Sequence, residues 1–390
     1  MEPDWAPNRA SPSIYTFTVI SPLNDLNWRS FLGRPPLSSP PPDGIEALRQ
    51  QPILITGAGG SIGSALALRL AALAPSMLVL LEASESNLYA LQRDWAELQT
   101  ANPRASCPMA PVLGSVADQP LLDEIFALHA PLIVFHAAAF KHVPLMEEQP
   151  LAAISNNVFA TQTLTETATA HGARVVLLST DKAVQPASVM GATKRVAEQT
   201  VLSAGGTVLR LANVLASRDS VAEVFTRQIA QGGPVTVTDP AARRYFVTLD
   251  EAVNLLLIAA AHPKPGTLLA PVLPATHFIA DLARFMVREL APSREIPIAF
   301  TGLRPGDKET EELWPSGAAT FPTNLAGVVC VETPLLSAPQ LAARLASLRQ
   351  AIELRDLDAA LTQLRRLVPD YTPSQALLAL SRQSAQRVAL

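Results

Sequence analysis

The sequence has little cysteine, little charge and no long apolar run. Its two cysteines, Cys107 and Cys330, lie far apart without a CxxC pair, so we expect reduced thiols. Charged residues make up 16%, and 30 Lys and Arg against 34 Asp and Glu leave no basic excess for nucleic acid. The apolar segment 65–81 is interrupted by Arg69 and Pro75, short of the ~20 apolar residues that a membrane-spanning helix needs. No basic segment followed by an apolar one marks a signal peptide. These absences favour a cytoplasmic globular protein without a membrane span or a nucleic-acid partner.

The chain does contain a regular alternation of strand and helix patterns, and 48% of it is apolar, enough for a large core. Short apolar runs predict strands over 53–56, 77–81, 133–136, 175–179, 208–211 and 235–238. Helical spacing predicts helices over 64–73, 86–99, 121–129, 151–171, 221–231 and 250–261, with one or two more over 338–367. This alternation predicts an α/β fold, a doubly wound parallel sheet with a smaller C-terminal lobe.

Composition divides the chain into four segments. Residues 1–50 hold nine of the 34 prolines and form an arm, in which residues 26–32 carry enough apolar bulk to dock as a short helix. A disordered leader is the alternative for this arm. Residues 51–216 form the sheet domain with the cofactor and catalytic motifs. Residues 217–335 form mainly a substrate-facing lobe, and residues 336–390 are C-terminal helices.

A glycine-rich turn between the first strand and the first helix predicts a dinucleotide site. Gly57, Gly60 and Gly63 recur every third residue, as in turns that admit a pyrophosphate to a helix N-terminus. Glu82 follows the second strand, where a carboxylate can accept from both ribose hydroxyls and would repel a 2′-phosphate. We therefore expect NAD in preference to NADP. Arg93 reaching back would weaken this preference, and a solvated strand-end carboxylate is the plain alternative for Glu82.

Three reactive side chains, Thr180, Asp181 and Lys182, follow the strand predicted over 175–179. Parallel sheets bind ligands at the carboxyl ends of their strands. Met190 and Lys194 then share one face of a helix. An adjacent Asp and Lys stabilise each other's charged forms, whereas an acid and a base need the neutral forms, so we expect a closed, dry site. A surface ion pair at a strand end is the structural alternative.

These motifs resemble the extended short-chain dehydrogenases/reductases, and more narrowly the CapD-like nucleotide-sugar 4,6-dehydratases of polysaccharide biosynthesis. The matching segments are residues 56–64, 136–144, 179–184, 190–194, 228–238, 244–246 and 302–308. The resemblance implies a UDP-N-acetylhexosamine substrate, UDP-N-acetylglucosamine first. Bound NAD would take a hydride from C4 and return it to C6 after water is lost across C5 and C6.

The resemblance also assigns roles to individual residues. Thr180 would bind the C4 oxygen, Asp181 would be the acid at C6, Lys182 the base at C5, and Lys194 would hold the nicotinamide ribose. Met190 stands where most short-chain dehydrogenases have Tyr, and Met cannot take a proton. The resemblance favours the dehydratase branch here, because its membrane-type members also carry Met whereas sugar epimerases normally keep the Tyr. The implied cofactor contacts are Gly57, Gly59, Gly60, Ser61, Ile62, Gly63, Glu82, Ser115, Val116, Ala137, Ala138 and Lys194. The implied substrate contacts are Lys141, Asn213, Arg244 and Arg304. We expect a homo-oligomer.

Several positions depart from the family pattern. Ser115 stands where relatives have Asp, Ala160 replaces a glycine, Asp307 replaces Glu, and the stretch 210–219 has lost three expected glycines. Alanine fits such positions only where φ is negative. His136 and His142 lack a third ligand, so no metal site is predicted. Two alternatives stay open: a UDP-hexosamine 4-epimerase, which needs no C5 base or C6 acid, and a non-catalytic NAD-binding protein, which the lost glycines suggest.

Overall fold

A computed structural model describes residues 23, 25–37, 39–101, 107–325 and 327–388. The strands are β1 (Pro52–Thr56), β2 (Met77–Glu82), β3 (Met109–Leu113), β4 (Ile133–His136), β5 (Arg174–Thr180), β6 (Thr207–Leu211), β7 (Asn213–Val214), β8 (Val235–Val237), β9 (Arg243–Arg244), β10 (Phe246–Val247), β11 (Thr267–Pro271), β12 (His277–Phe278), β13 (Ile298–Phe300), β14 (Thr320–Pro322) and β15 (Val328–Val331). The helices are α1 (Trp28–Leu32), α2 (Pro42–Glu46), α3 (Ser61–Ala71), α4 (Glu85–Ala101), α5 (Gln119–His129), α6 (Val143–Glu148), α7 (Pro150–Ile154), α8 (Ala160–Ala170), α9 (Val189–Ser203), α10 (Val221–Gln231), α11 (Leu249–Ala261), α12 (Ile279–Leu290), α13 (Ala338–Glu353), α14 (Leu357–Leu367) and α15 (Gln375–Val388).

The largest sheet runs in the order β14-β15-β11-β6-β5-β4-β1-β2-β3. From β3 to β11 all neighbours are parallel, and β15 and β14 add antiparallel strands at one edge. The chain leaves β1 toward β2 and β3, then crosses to β4 on the other side. This reversal places a ligand crevice at the carboxyl ends of β1 and β4. The predicted doubly wound α/β fold is confirmed.

The central strands are apolar runs because helices cover both faces of the sheet. Ile53, Leu54 and Ile55 of β1 are fully buried, as a two-sided parallel strand requires. The sequence patterns missed β3, which lies at the sheet edge and carries Pro111. Proline cannot donate to a ladder, so an edge position is where a strand tolerates it.

Two helix predictions needed refinement. The helix predicted over 151–171 is α7, a π-helical turn at Ser155–Phe159, and α8. The segment 338–367 forms two helices, α13 and α14, with Arg355 between them at a φ of 53°. α14 packs on α7 and α9, and α13 packs on α14, in a second apolar cluster that includes Leu348 and Leu364.

A third cluster holds the docked part of the N-terminal arm. The rings of Trp28 and Phe31 lie 5.8 and 5.3 Å from that of Phe285, and Leu32 is buried beside them. This is the short docked helix that the composition of residues 26–32 allowed; residues 1–22 lie outside the described residues. Strands β11, β14 and β15, from the segment 217–335, complete the main sheet, and the four-segment division stays a prediction. In the described part of the chain, each helix is too short or too polar to cross a membrane.

Candidate active site

The glycine-rich turn joins β1 to α3 at the sheet crevice. Gly57 has a φ of +67°, and a Cβ there would lie 2.7 Å from the main-chain nitrogen of Ala138. A Cβ on Gly63 would overlap the carbonyl oxygen of Gly57. Only glycine fits either position, because the turn is tight and α3 packs directly on it. The turn therefore leaves room for a pyrophosphate beside the N-terminus of α3, which Ser61 begins after the N-cap Gly60.

Glu82 closes the other side of this turn. Its carboxylate accepts the N–H of Gly59 and that of Ser84, each at 2.9 Å, at the end of β2. Each carboxylate oxygen keeps a second lone pair, so ribose hydroxyls still have acceptors here. Arg93 does not reach back, because its guanidinium pairs with Asp94 at 3.0 Å. The residues of this wall fit NAD.

The remaining predicted cofactor residues follow β3 and β4. Ser115 Oγ accepts the N–H of Ala117 at 3.1 Å, and Val116 is buried. The N–H of Ala137 donates to Thr56 at 3.1 Å, which holds the β4 end against the turn. Ile62, on α3, packs against the main core. A cofactor-binding role for these residues stays a prediction.

His136 is a core residue. Its Nδ1 lies 2.7 Å from Thr56 Oγ1 and its Nε2 2.9 Å from Thr161 Oγ1. Burial, with a smaller contribution from Lys194, lowers the pKa of His136 to about 3. The neutral ring therefore ties β1 and β4 to α8.

Thr180, Asp181 and Lys182 meet where β5 ends and a 3₁₀ turn begins. Asp181 Oδ1 accepts from Thr180 Oγ1 at 2.8 Å and from Lys182 Nζ at 3.0 Å. Lys182 Nζ also donates to Asn213 Oδ1 at 3.0 Å. Asp181 is fully buried, and among the described residues its Oδ2 has no hydrogen-bond partner. A buried carboxylate oxygen without a donor is costly, so this atom is an acceptor that the described residues leave unused.

Helix α9 presents Met190 and Lys194 beside this trio. Ser188 caps the helix by accepting the N–H of Gly191 at 3.1 Å. Lys194 Nζ donates to Leu178 of β5 at 2.7 Å. Burial lowers the pKa of Lys194 to about 8, against the opposing charge of Glu198. Met190 is buried and cannot exchange a proton.

A buried ion cluster supports the catalytic strand from behind. Glu198 accepts from Arg210 Nε at 2.8 Å and Nη2 at 2.7 Å, from Arg195 at 2.9 Å, and from Ser179 Oγ at 2.6 Å. Burial alone would raise the pKa of Glu198, but the Arg210 charge and these donors lower it to about 2. Because Ser179 directly precedes Thr180, the cluster fixes the last residues of β5. The sequence reasoning missed it, since pairing between a helix and a neighbouring strand leaves no local pattern.

Arg244, predicted to bind substrate, is buried and holds the main chain. Its guanidinium donates to the carbonyl oxygens of Arg243 and Lys308, each at 2.7 Å, and of Glu309 at 2.9 Å. These bonds anchor the segment that follows the 302–308 motif. A direct role for Arg244 in binding phosphate stays a prediction.

Two other predicted substrate residues are exposed. Arg304 has 57% of its side chain exposed and pairs with Asp307 at 2.9 Å. Lys141 Nζ donates to the carbonyl oxygen of Arg218 at 2.6 Å. A substrate-binding role for either cation stays a prediction.

Glu311 is a further site residue that the sequence reasoning missed. It is buried, and its Oε1 lies 4.0 Å from Lys182 Nζ. Lys308 Nζ lies 2.6 Å from its Oε2 and donates to Val184 at 3.0 Å. The signal was its position three residues after Lys308, which ends a motif already singled out.

Comparison with known proteins decides the family. A family model for polysaccharide biosynthesis proteins matches residues 53–333. The chain belongs to this polysaccharide biosynthesis family. The capsular polysaccharide biosynthesis protein CapD of Staphylococcus aureus is 38% identical over 303 residues, which is 75% of this chain and 50% of CapD. The chain thus spans about half the length of CapD. The resemblance drawn from the motifs is confirmed at the level of the family.

Two other proteins are similar to this family member. A UDP-glucose 4-epimerase of Rickettsia canadensis is 39% identical over 211 residues, which is 52% of this chain and 60% of the epimerase. The X-ray structure of Pen from Bacillus thuringiensis matches with a TM-score of 0.66 and 28% identity, over 74% of this chain and 89% of Pen. The chain therefore has the extended short-chain dehydrogenase/reductase fold.

Proposed function

We propose that this family member is a nucleotide-sugar 4,6-dehydratase that acts on a UDP-N-acetylhexosamine, with UDP-N-acetylglucosamine as the first choice. The observation that carries the proposal is the contact of Asp181 with Lys182 at 3.0 Å, at the carboxyl end of β5. Water loss needs a base at C5 and an acid at C6 close together, and C4 epimerisation needs neither of these two groups. The buried, unpartnered Oδ2 of Asp181 supports the acid role.

NAD is the cofactor, held by the glycine turn and Glu82. When bound, it would supply the hydride acceptor and donor for the sugar. Lys194, on the face of α9 that also carries Met190, would hold the nicotinamide ribose. The name of the relative CapD, a capsular polysaccharide biosynthesis protein, supports a product used in surface polysaccharide synthesis.

The chain's own residues would then move the protons. The Thr180 hydroxyl would donate to the C4 oxygen, and Lys182 would remove the C5 proton, which is acidic beside a C4 ketone. Asp181 would protonate the leaving C6 hydroxyl. Asn213, which holds Lys182 at 3.0 Å, orients the base. Met190 takes no proton, so the C4 proton would leave through water or another side chain.

A UDP-hexosamine 4-epimerase is the second candidate, because the Rickettsia relative carries an epimerase name. It would share the C4 oxidation and omit water loss. A non-catalytic NAD-binding protein is the third candidate, and it would bind the cofactor without changing the sugar.

One incubation separates the three candidates. Purified protein is mixed with UDP-N-acetylglucosamine and the product is weighed by mass spectrometry. We expect a product lighter by one water. An unchanged mass with inverted C4 would support the epimerase, and unchanged substrate with NAD bound would support the third candidate. Lys182→Ala should abolish water loss and leave NAD binding intact; retained turnover would remove Lys182 from the mechanism.

A further inference from the structure

One arginine of the C-terminal lobe lies directly on the cofactor turn. Arg218 Nη1 donates to the carbonyl oxygen of Gly59 at 2.9 Å and to Asn87 Oδ1 at 3.2 Å. Its main-chain N–H donates to Ser61 Oγ at 2.8 Å, and its carbonyl oxygen accepts from Lys141. The residue therefore bridges the turn, the first residue of α3 and the first turn of α4.

We propose that Arg218 is a clamp that retains the dinucleotide by contacting its diphosphate. The proposal rests on the proposed function, since a cofactor that must return its hydride has to stay bound throughout. Gly59 contacts both Glu82 and Arg218: its N–H donates to the Glu82 carboxylate, and its carbonyl oxygen accepts from Arg218. Glu82, which would bind the ribose, and Arg218 therefore both contact the glycine-rich turn, through Gly59.

The guanidinium has donors to spare. Within the described residues, its Nε and Nη2 make no hydrogen bond, while Nη1 makes two. A planar fork with free donors suits the oxygens of a diphosphate, which would also gain from the N-terminus of α3. A lysine would supply the charge without the fork.

The loop that carries Arg218 is held in an unusual backbone conformation. Ala216 has a φ of 59° and Asp219 a φ of 55°. A non-glycine residue in the left-handed region therefore lies on each side of Arg218. Such residues persist where their surroundings fix them, and they collect at ligand clamps. Here the fixing contacts are Ser217 Oγ to Val214 at 3.0 Å and the N–H of Asp219 to Glu223 at 2.7 Å.

The same loop contacts both the proposed base and the cofactor turn. Asn213, which contacts the catalytic lysine, lies five residues before Arg218 on the same segment. One segment therefore makes both the contact with Lys182 and the contacts with the cofactor turn. In this arrangement the retention of NAD and the assembly of the acid–base site are linked.

The test measures cofactor binding without any sugar turnover. Arg218→Ala and Arg218→Lys are compared with Arg227→Ala, an exposed arginine of α10. NAD released from denatured protein is counted, and calorimetry on stripped protein gives the Kd of NAD, ADP-ribose and adenosine. For Arg218→Ala we expect a loss of ~10- to 100-fold for NAD and ADP-ribose, which carry the diphosphate. Adenosine should change little, and Arg218→Lys should be intermediate.

The outcomes separate this proposal from the proposed function. An equal loss for all three ligands would make Arg218 merely structural, and affinities equal to those of Arg227→Ala would overturn the clamp. If Arg218→Ala does not fold, Arg218→Lys decides, since it keeps the charge and loses the fork. If the Arg218 variants show the expected changes in affinity but the wild-type protein leaves the sugar unchanged, the dehydratase proposal is wrong and the role of Arg218 in binding the dinucleotide still holds.

Discussion

Lys182 Nζ and Glu311 Oε1 lie 4.0 Å apart, although one follows β5 and the other belongs to the C-terminal lobe. Glu311 is held in place by Lys308, whose Nζ lies 2.6 Å from Oε2. Arg244 anchors the main chain of the same segment through the carbonyl oxygen of Lys308. The position of the proposed base, Lys182, is therefore set both by the end of β5 and by the segment between β13 and β14.

Glu311→Gln should slow water loss without releasing the cofactor. The amide keeps the shape of the side chain but removes the charge that orients Lys182 and balances Lys308. A small misplacement of a reacting group is costly, so we expect kcat to fall by ~10-fold or more. Steady-state assays with UDP-N-acetylglucosamine, together with NAD content, measure this.

Glu312→Gln is the matched control, because that neighbouring carboxylate is exposed. It should leave kcat unchanged. Equal activity of the two variants would show that Glu311 does not position the base.

Arg210→Met should destabilise the fold strongly. Arg210 and Glu198 are both buried, 2.7 Å apart, so the variant leaves a buried carboxylate short of its main partner. Breaking one side of a buried pair costs ~3–5 kcal/mol of unfolding free energy. Urea denaturation at neutral pH measures the loss, and Arg210→Met with Glu198→Gln should recover part of it.

Arg284→Met provides the contrast. Arg284 pairs with Asp281 at 2.6 Å at the surface, where 62% of its side chain is exposed. Exposed pairs contribute little, so the unfolding free energy should hardly change. Similar losses for Arg210→Met and Arg284→Met would contradict the importance of the buried cluster.

His136 should make the protein sensitive to acid. Its pKa falls from an ordinary 6.5 to about 3 in the folded state because the ring is buried. Between these values the unfolded chain binds a proton that the folded chain does not, so stability falls as pH drops through this window. The slope approaches ~1.4 kcal/mol per pH unit for one proton.

His136→Gln removes the group that binds this proton. It should therefore flatten the dependence of unfolding free energy on pH between about 6 and 4. Urea denaturation at several pH values in this range measures the slope. A slope that is unchanged in His136→Gln would assign the acid sensitivity to other groups.

Local patterns predicted the parts of this fold that repeat. Apolar strands such as β1, β4 and β5, the glycine turn, and the Thr180–Lys182 trio are contiguous in sequence, so composition and spacing reveal them. β3 escaped because an edge strand with Pro111 lacks a continuous apolar run. Glu311 and Arg218 escaped because their roles depend on how the C-terminal lobe closes on the sheet, which no local window records.

The lost glycines also show which features the local sequence reveals and which depend on tertiary contacts. Both Ala160 and Ala216 lie where the sequence departs from the family's glycines, and the sequence rule was that alanine fits only a negative φ. Ala160 obeys it, with a φ of −65° at the start of α8. Ala216 does not, with a φ of 59°. Which position is strained depends on the turn after Asn213, and the turn is fixed by tertiary contacts.

Ala216→Gly should therefore stabilise the protein. The left-handed conformation costs a residue with a Cβ ~1–2 kcal/mol, and the greater freedom of glycine in the unfolded chain returns part of this. We expect a net gain of ~0.5–1 kcal/mol in unfolding free energy by urea denaturation. Asp219→Gly should gain less, because aspartate tolerates this region better. Ala160→Gly should have the opposite sign, losing ~0.5–1 kcal/mol at a helical position. If Ala216→Gly and Ala160→Gly shifted stability in the same direction, backbone strain at Ala216 would be excluded as the cause.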